Sequence, residues 1–376
     1  MKVAVTTLVF CVASLLALGL VMLYSASMTQ VGAHYLMMQL VWCVFGFGLC
    51  VTAASLDYKL FKQYAWPVFV VAALLLILVL VPHLTRKING ARRWFDLKGV
   101  RFQPSELGKI ALIVALAWYG DRFQRRMHTF VWGIAVPLAM IAVILGLVFI
   151  EPDRGTTILL AAVSGSILLM AGVQWKFIVP PVLLAMVCLV ISILHDPMRM
   201  RRIFSWLDLE QNKDGGGYQA YQAMIALGSG GWTGLGLGNG RQKLGFVPEH
   251  HTDFIFSIIG EELGLVATLL VVLAFVVFAV CGIYIALHAQ DRFGTLLATG
   301  ITLLVSLQAA INIGVVTSAL PNKGLPLPFI SYGGSNLLAM LTCVGILLSV
   351  ARKAVPLKIS ASDVVSDENP FAARPA

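Results

Sequence analysis

Residues 241–264 read RQKLGFVPEHHTDFIFSIIGEELG. A polar loop carrying Glu249 and two histidines runs straight into an apolar segment, which holds Glu261 and Glu262 two to three turns further on. Most of the remaining chain is apolar runs joined by short loops, so chemistry has its best footing here. An uncompensated carboxylate beside bilayer hydrocarbon is costly, which makes Asp253, Glu261 and Glu262 functional candidates from the outset.

Outward from this stretch, composition sets the class. The chain is 59% hydrophobic and 12% charged, with mean hydropathy +0.87, against roughly 25% charged in a soluble globular domain. That implies an all-α, polytopic integral membrane protein, and no polar stretch is long enough to form a separate soluble domain. Cys11, Cys43, Cys50, Cys188, Cys281 and Cys343 all sit in apolar runs. They read as small buried residues, neither disulfides nor a metal site. The net charge of +9 lies in membrane-flanking loops and calls for no nucleic acid. The first apolar run, residues 3–23, is long for a signal-peptide core and further spans follow, so it is expected to remain as the first helix.

A span needs about 20 mostly apolar residues, and helices are the economical choice where hydrocarbon offers the backbone no partner. On that basis ten transmembrane helices are expected, at 3–23, 34–54, 64–81, 105–119, 131–150, 155–172, 176–194, 253–280, 295–316 and 331–350. An even count places both termini on one side, taken as cytoplasmic, although the Lys and Arg bias between the two sides is weak. Residues 1–353 then form the membrane domain, and 354–376 a short polar tail expected to be disordered. Two loops differ from the rest. Residues 82–104 are strongly basic, with Trp94 and Phe95 in their middle. Residues 195–252 form a large extracytoplasmic loop, far longer than the usual connection of about 4–6 residues. Within it YQAYQAMIAL (218–227) reads as a short helix, and the glycine-rich run 228–240 suits close backbone approach or movement over a substrate.

Each constellation has a plain reading beside a chemical one. Thr252 and Asp253 open a helix, and an N-cap role alone explains either residue; the chemical reading makes Asp253 a catalytic carboxylate. Glu261 lies eight residues on, about 12 Å along the helix, too far for a paired-carboxylate site, so the two acids have different tasks. The histidines of 248–251 point different ways and lack HExxH spacing, which argues against zinc. The metal expectation is instead a divalent cation, Mg or Mn, held by Asp253 and a phosphate-bearing substrate, since hard cations take oxygen ligands. Arg92, Arg93 and Trp94 read either as a headgroup anchor or as a clamp for an anionic lipid headgroup. Glu106 and Lys109 sit three apart at the start of a span and can pair, while Glu261 needs a partner for which Lys109 is also a candidate. The run 321–335, rich in proline and glycine, reads as a rigid re-entrant turn feeding the last span.

Six segments in order, GARRW (90–94), FQPSE (102–106), PDRGT (152–156), YQ ahead of the glycine-rich run, residues 237–264, and GLPLPFISYGGS (324–335), resemble the SEDS family of polytopic membrane proteins. The resemblance covers roughly residues 10–353. Within the family the stretch GNGRQKLGFVPE and the IIGEELG after it are more similar to the cell-division branch than to the elongation branch. The chain departs from the family pattern at Arg154, where a hydrophobic residue is usual, at His250 and at Asn336.

The resemblance implies an inverting peptidoglycan glycosyltransferase that polymerises lipid II during septal wall synthesis. It places the protein in the bacterial cytoplasmic membrane, enriched at the division septum, with a class B penicillin-binding transpeptidase and other divisome membrane proteins as partners. Asp253 matches the family's proposed catalytic aspartate, and no organic cofactor is implied. Arg92, Arg93, Lys243 and His251 are the expected substrate-binding residues. Glu106, Lys109, Glu261, Ser331, Gly333 and Gly334 are the expected supports. A lipid II flippase is the alternative, and so is an elongation-type polymerase. A flippase should show polar residues at mid-bilayer in several helices, for which Gln308 and Asn312 are the best candidates. A scaffold that only recruits the transpeptidase would leave the outer polar cluster without a task.

Overall fold

The structure, a computed structural model, describes residues 1–27, 32–82, 85, 92–97, 100–246 and 251–354. The tail from 355 onward, residues 28–31, part of the basic loop (83, 84, 86–91, 98 and 99) and residues 247–250 lie outside the described residues, and so do the expectations placed on them. The elements follow in order as α1 (Lys2–Ser27), α2 (His34–Ser55), α3 (Tyr58–Gln63) and α4 (Ala65–Leu80). A short hairpin, β1 (Phe95–Leu97) and β2 (Val100–Phe102), pairs antiparallel with Asp96 opposite Arg101. Then come α5 (Pro104–Arg122), α6 (Val136–Ile150, entered through a π-helical turn at Val131–Ala135), α7 (Arg154–Met170), α8 (Trp175–Leu194), α9 (Pro197–Leu207) and α10 (Tyr218–Ser229). The chain ends in α11 (Ile255–Leu287), α12 (Arg292–Val316) and α13 (Gly334–Arg352).

Among the described residues, seven helices are long and apolar enough to cross a membrane: α1, α2, the helix Val131–Ile150, α8, α11, α12 and α13. This corrects the expected ten. Residues 64–81 and 155–172 do form helices, but α4 and α7 stop at 16 and 17 residues, short of the roughly 20 that a bilayer core requires. The stretch 105–119 becomes α5, whose 19 residues include Glu106, Lys109, Asp121 and Arg122, so it is a helix of the protein interior with charged ends. The even-count argument for both termini on one side falls with the count.

Burial sorts these helices. α5, α12 and α13 are mostly covered: Ile110 to Ala117 of α5 are buried without interruption, and α13 lies along α2. α8 is the opposite case, with Ile178 its one buried residue. In water such exposure would be unstable, but the apolar outward faces of α1, α2, α4, α8 and α11 match hydrocarbon.

One helix is broken inside its length. At Gly264 the backbone turns to φ 76° and ψ −173° within α11, a combination open essentially to glycine alone. The carbonyls of Glu261 and Glu262 therefore lose the N–H groups of Leu265 and Val266 as partners. They accept instead from Leu235 and Gly236 (3.0 Å each), while Leu265 and Val266 donate to the carbonyls of Gly231 and Trp232 (2.9 and 3.3 Å). The glycine-rich run is thus threaded into the break, and every backbone group freed by the kink is re-paired, as an apolar setting demands. It is a structural insert and not a loop that closes over substrate. A side chain at 264 would meet the Trp232 carbonyl oxygen at 2.5 Å.

Candidate active site

Asp253 lies in the turn before α11. It stands one residue ahead of the N-cap position, which Phe254 occupies. Its position comes from backbone stitching to the end of α12 and to the strap 317–333 between α12 and α13. Tyr332 N–H donates to the His251 carbonyl (3.0 Å), Ser331 Oγ donates to the Thr252 carbonyl (2.6 Å), and Asn312 Nδ2 donates to the Asp253 carbonyl (2.8 Å). The same Asn312 nitrogen donates to the Leu325 carbonyl (2.6 Å), and Ser331 Oγ accepts from Leu327 N–H (2.8 Å). Two consecutive carbonyls are thereby fixed to the strap and the third to Asn312 of α12, which pins the backbone under the half-buried Asp253 side chain. The strap passes the carboxylate at Gly324, which is exposed. A Cβ there would sit 2.5 Å from Asp253 Oδ2, so glycine lets the strap pass this close to the carboxylate.

Behind this lies a buried polar chain across three helices. Lys109 pairs with Glu106 (2.8 Å) and donates to Gln308 Oε1 (3.0 Å); Asn336 Nδ2 donates to Glu106 Oε2 (3.1 Å). Gln308 Nε2 then holds the strap by the Pro326 carbonyl (2.9 Å). Gln308, and Asn312 through its Nδ2, therefore support the strap, a use that differs from the transport pathway considered for them.

The other sequence-assigned residues divide. Glu261 does not reach Lys109: its carboxylate accepts from the backbone N–H groups of Arg241 and Gln242 (2.8 to 3.3 Å), and Glu106 has taken the lysine. Lys243 is not open to substrate. It is 2% exposed, pairs with Glu262 at 2.6 Å and donates to Ser25 at 3.0 Å, locking the long loop to α1 and α11. His251 stacks on Tyr35 with ring centroids 4.6 Å apart and meets Tyr332. Gly333 N–H donates to Gln39 Oε1 (3.4 Å), and Gly334 opens α13 against the Trp42 indole. Arg93 clamps the hinge 151–153, donating to the carbonyls of Glu151 and Pro152 at 2.7 Å each. Arg92 is half-buried, and its Nε makes no hydrogen bond among the described residues.

The hinge brings titratable groups that the sequence reading did not place at the site. Glu151 is fully buried, and neither carboxylate oxygen has a hydrogen-bond partner among the described residues. Burial, and then the charge of Asp153, push its carboxyl up to about 8, with Arg93 pulling the other way. Lys323 on the strap is half-buried; burial, and then the charge of Arg154, hold its ammonium below the usual lysine range, against an opposing pull from Asp153. No cluster of three or more His, Cys, Asp or Glu is present among the described residues. Mg²⁺, however, takes one or two protein carboxylates and completes its shell with water and phosphate oxygens, and a single carboxylate such as that of Asp253 fits that pattern.

Fold and site together define a polytopic, all-α membrane protein that presents an aspartate beside an exposed glycine of a rigid strap. The chain belongs to the cell cycle protein family of FtsW, RodA and SpoVE, whose model matches residues 6–355. It is 40% identical to the probable peptidoglycan glycosyltransferase FtsW of Trichlorobacter lovleyi, over 93% of this chain and 94% of that one. To the protein of the same description in Coxiella burnetii it is also 40% identical, over 92% and 95%. Among solved structures it resembles a chain of a peptidoglycan synthase complex described as coordinating polymerization and crosslinking (TM-score 0.78, 30% identity, 92% and 96% covered). It also resembles the rod shape determining protein RodA of Thermus thermophilus (TM-score 0.69, 28% identity, 93% and 97% covered).

Proposed function

We propose that this chain is a peptidoglycan glycosyltransferase of the division branch, polymerising lipid II into glycan strands, with Asp253 as the base that activates the acceptor. The observation that carries the reading is the Asp253 backbone, fixed at three successive carbonyls with its carboxylate set beside Gly324 of the strap. A carboxylate so placed accepts the proton of an acceptor sugar hydroxyl. The hydroxyl oxygen then bonds to the donor's anomeric carbon. The bond from that carbon to the undecaprenyl pyrophosphate breaks with inversion, and its electron pair leaves on the pyrophosphate. A divalent cation, Mg or Mn, bound by Asp253 would supply charge neutralisation for that leaving group. Preorganisation matters more here than strength of binding, because a base that is already in place as charge develops has no reorganisation cost.

In this reading residues 195–252 and Asp253 face outward from the bacterial cytoplasmic membrane, at the division septum. The partner is a class B penicillin-binding transpeptidase among other divisome membrane proteins, in keeping with the synthase complex the fold resembles. Transport of lipid II is the weaker reading, because Lys109, Gln308 and Asn312 are already bonded within the bundle.

Asp253→Asn tests this. The substitution keeps the shape and removes the charge, so the purified variant with its transpeptidase should bind lipid II yet lose polymer formation by a factor of about 10² or more. Wild-type polymer yield would sink the assignment, and lipid II transport without polymerisation would put the flippase in its place.

A further inference from the structure

We propose that α9 is an interfacial helix: its apolar face seats in the headgroup layer of an anionic phospholipid bilayer, and from there it braces the start of the strap. The inference stands apart from the glycosyltransferase reading and needs no substrate.

For a helix in water, α9 is packed inside out. Its sequence, PMRMRRIFSWL, sets Met200, Ile203, Phe204 and Leu207 at the i, i+3, i+4, i+7 spacing of one apolar stripe. In a soluble protein such a stripe faces the interior. Here Phe204 and Leu207 are 58% and 68% exposed, and the one buried side chain among those described in the helix is Ser205. The turn at 215–217 covers that serine: a Cβ on Gly216 would lie 2.7 Å from its Oγ, and one on Gly217 would lie 3.3 Å from its carbonyl oxygen. The polar side is turned to the protein and the apolar side away from it.

Both ends of the helix are held at the membrane boundary. His195 and Asp196 alone stand between Leu194, the exposed last residue of α8, and Pro197. The helix therefore begins within about 11 Å of the end of a lipid-facing span. At its far end Trp206 Nε1 donates to the Ser318 carbonyl (2.8 Å), two residues past the end of α12. Its eleven residues reach about 16 Å, too short to cross the hydrocarbon core. Tied at each end to the end of a spanning helix, α9 lies along the bilayer surface with Phe204 and Leu207 at headgroup level.

Charge selects the kind of surface. No acid occurs in α9, and Arg201 and Arg202 are exposed off the apolar stripe. From there an arginine stem follows the interface while its guanidinium meets phosphate oxygens. Acids return only beyond the helix, at Asp208 and Glu210, and Asp208 accepts from Gln211 N–H (3.2 Å). A short basic helix with phenylalanine and leucine on its other face is suited to an anionic lipid surface. The seating also has a mechanical use. Ser318 sits at φ 57°, a backbone region uncommon for serine, where α12 gives way to the strap. The Trp206 hydrogen bond holds it there, so a helix fixed on the bilayer steadies the first residues of the strap.

The test reconstitutes the full-length protein in nanodiscs of phosphatidylcholine, alone or mixed with phosphatidylglycerol. A photoreactive phenylalanine analogue replaces Phe204, Leu207 or, as the control, Glu210, and lipid adducts are counted by mass spectrometry. Adducts at Phe204 and Leu207 should exceed those at Glu210 by about fivefold or more, with phosphatidylglycerol over-represented relative to its share of the disc. Replacing both Arg201→Gln and Arg202→Gln should cut that preference by about threefold or more while the melting temperature holds. Hydrogen exchange at residues 318–320 should be slower in the phosphatidylglycerol discs. Trp206→Phe, which keeps a ring and loses the donor, should abolish this difference and retain the lipid adducts. Equal adducts at all three positions, or no lipid adduct at Phe204 and Leu207, overturn the seating. So does a crosslink from Phe204 to a co-reconstituted transpeptidase in place of lipid, which makes the face a protein contact. A phosphatidylglycerol preference untouched by the double variant overturns the part given to the arginines, and strap exchange that ignores the lipid overturns the brace.

Discussion

At the scale of single residues, Glu151 is the least comfortable group in the protein. It is fully buried, both oxygens lack partners among the described residues, and its carboxyl is pushed from an ordinary 4.5 up to about 8. The folded value lies above the unfolded one, so the folded state binds the extra proton between them. Stability from this group is therefore complete below about 4.5 and is lost as pH rises through about 8. Glu151→Gln keeps the size and removes the titration. Its melting temperature should match wild type near pH 5 and exceed it by several degrees at pH 9, read by thermal unfolding in detergent across that range. A parallel pH dependence in the two proteins would assign the loss to other groups. Nothing in the sequence distinguishes Glu151 from the other loop acids, because its isolation is created by neighbours 58 residues away, where Arg93 takes the hinge carbonyls and leaves the carboxylate unserved. Asp253, by contrast, is visible in the sequence as an acid at the mouth of an apolar run, and its family motif is continuous. What the sequence hides is the close approach of Gly324, 71 residues further along, which leaves no room for a side chain against the carboxylate.

At the scale of elements, the break in α11 separates pattern from structure. The run IIGEELG has the apolar spacing of an uninterrupted helix, and helical periodicity does not register a single residue with φ 76°. The glycine-rich run 228–240 likewise reads as mobile, since flexibility is all that local composition reports. In the structure each explains the other: the kink frees four backbone groups, and the loop re-pairs them. Gly264→Ala should therefore cost about 1–3 kcal/mol from backbone strain, with more from the approach of the Trp232 carbonyl. The loss should appear as a lower melting temperature together with faster protease cleavage of residues 228–240. Cleavage at the wild-type rate would mean that the loop is held by its Glu261 and Glu262 contacts alone. The span count failed for a related reason. Hydropathy marks where a segment is apolar but not where Asp153 starts α7 by capping Thr156, nor that α5 keeps its charged residues because partners lie beside them in the bundle.

At the scale of the whole molecule, the buried chain from Asn336 through Glu106, Lys109 and Gln308 to the Pro326 carbonyl links α13, α5 and α12 to the strap that fixes Asp253. An ion pair this deep is weak support on its own account, because desolvation offsets most of its attraction. Its value lies in direction: Lys109 orients the Gln308 amide, and the amide in turn places the strap. Lys109→Met leaves Glu106 buried without its cation and should destabilise the protein by about 3–5 kcal/mol. Adding Glu106→Gln removes the stranded charge and should recover most of that stability, with the Asn336 hydrogen bond retained. Activity should behave differently. The double variant, stable again, still lacks the group that orients Gln308, so polymerisation should stay depressed even where the fold is restored. Thermal unfolding and lipid II polymerisation, measured on wild type, both single variants and the double variant, give the two couplings separately. Stability losses that simply add would show that Glu106 and Lys109 do not act as a pair. Full recovery of activity with stability would confine the network to holding helices together and leave the placement of Asp253 to Asn312 and Ser331.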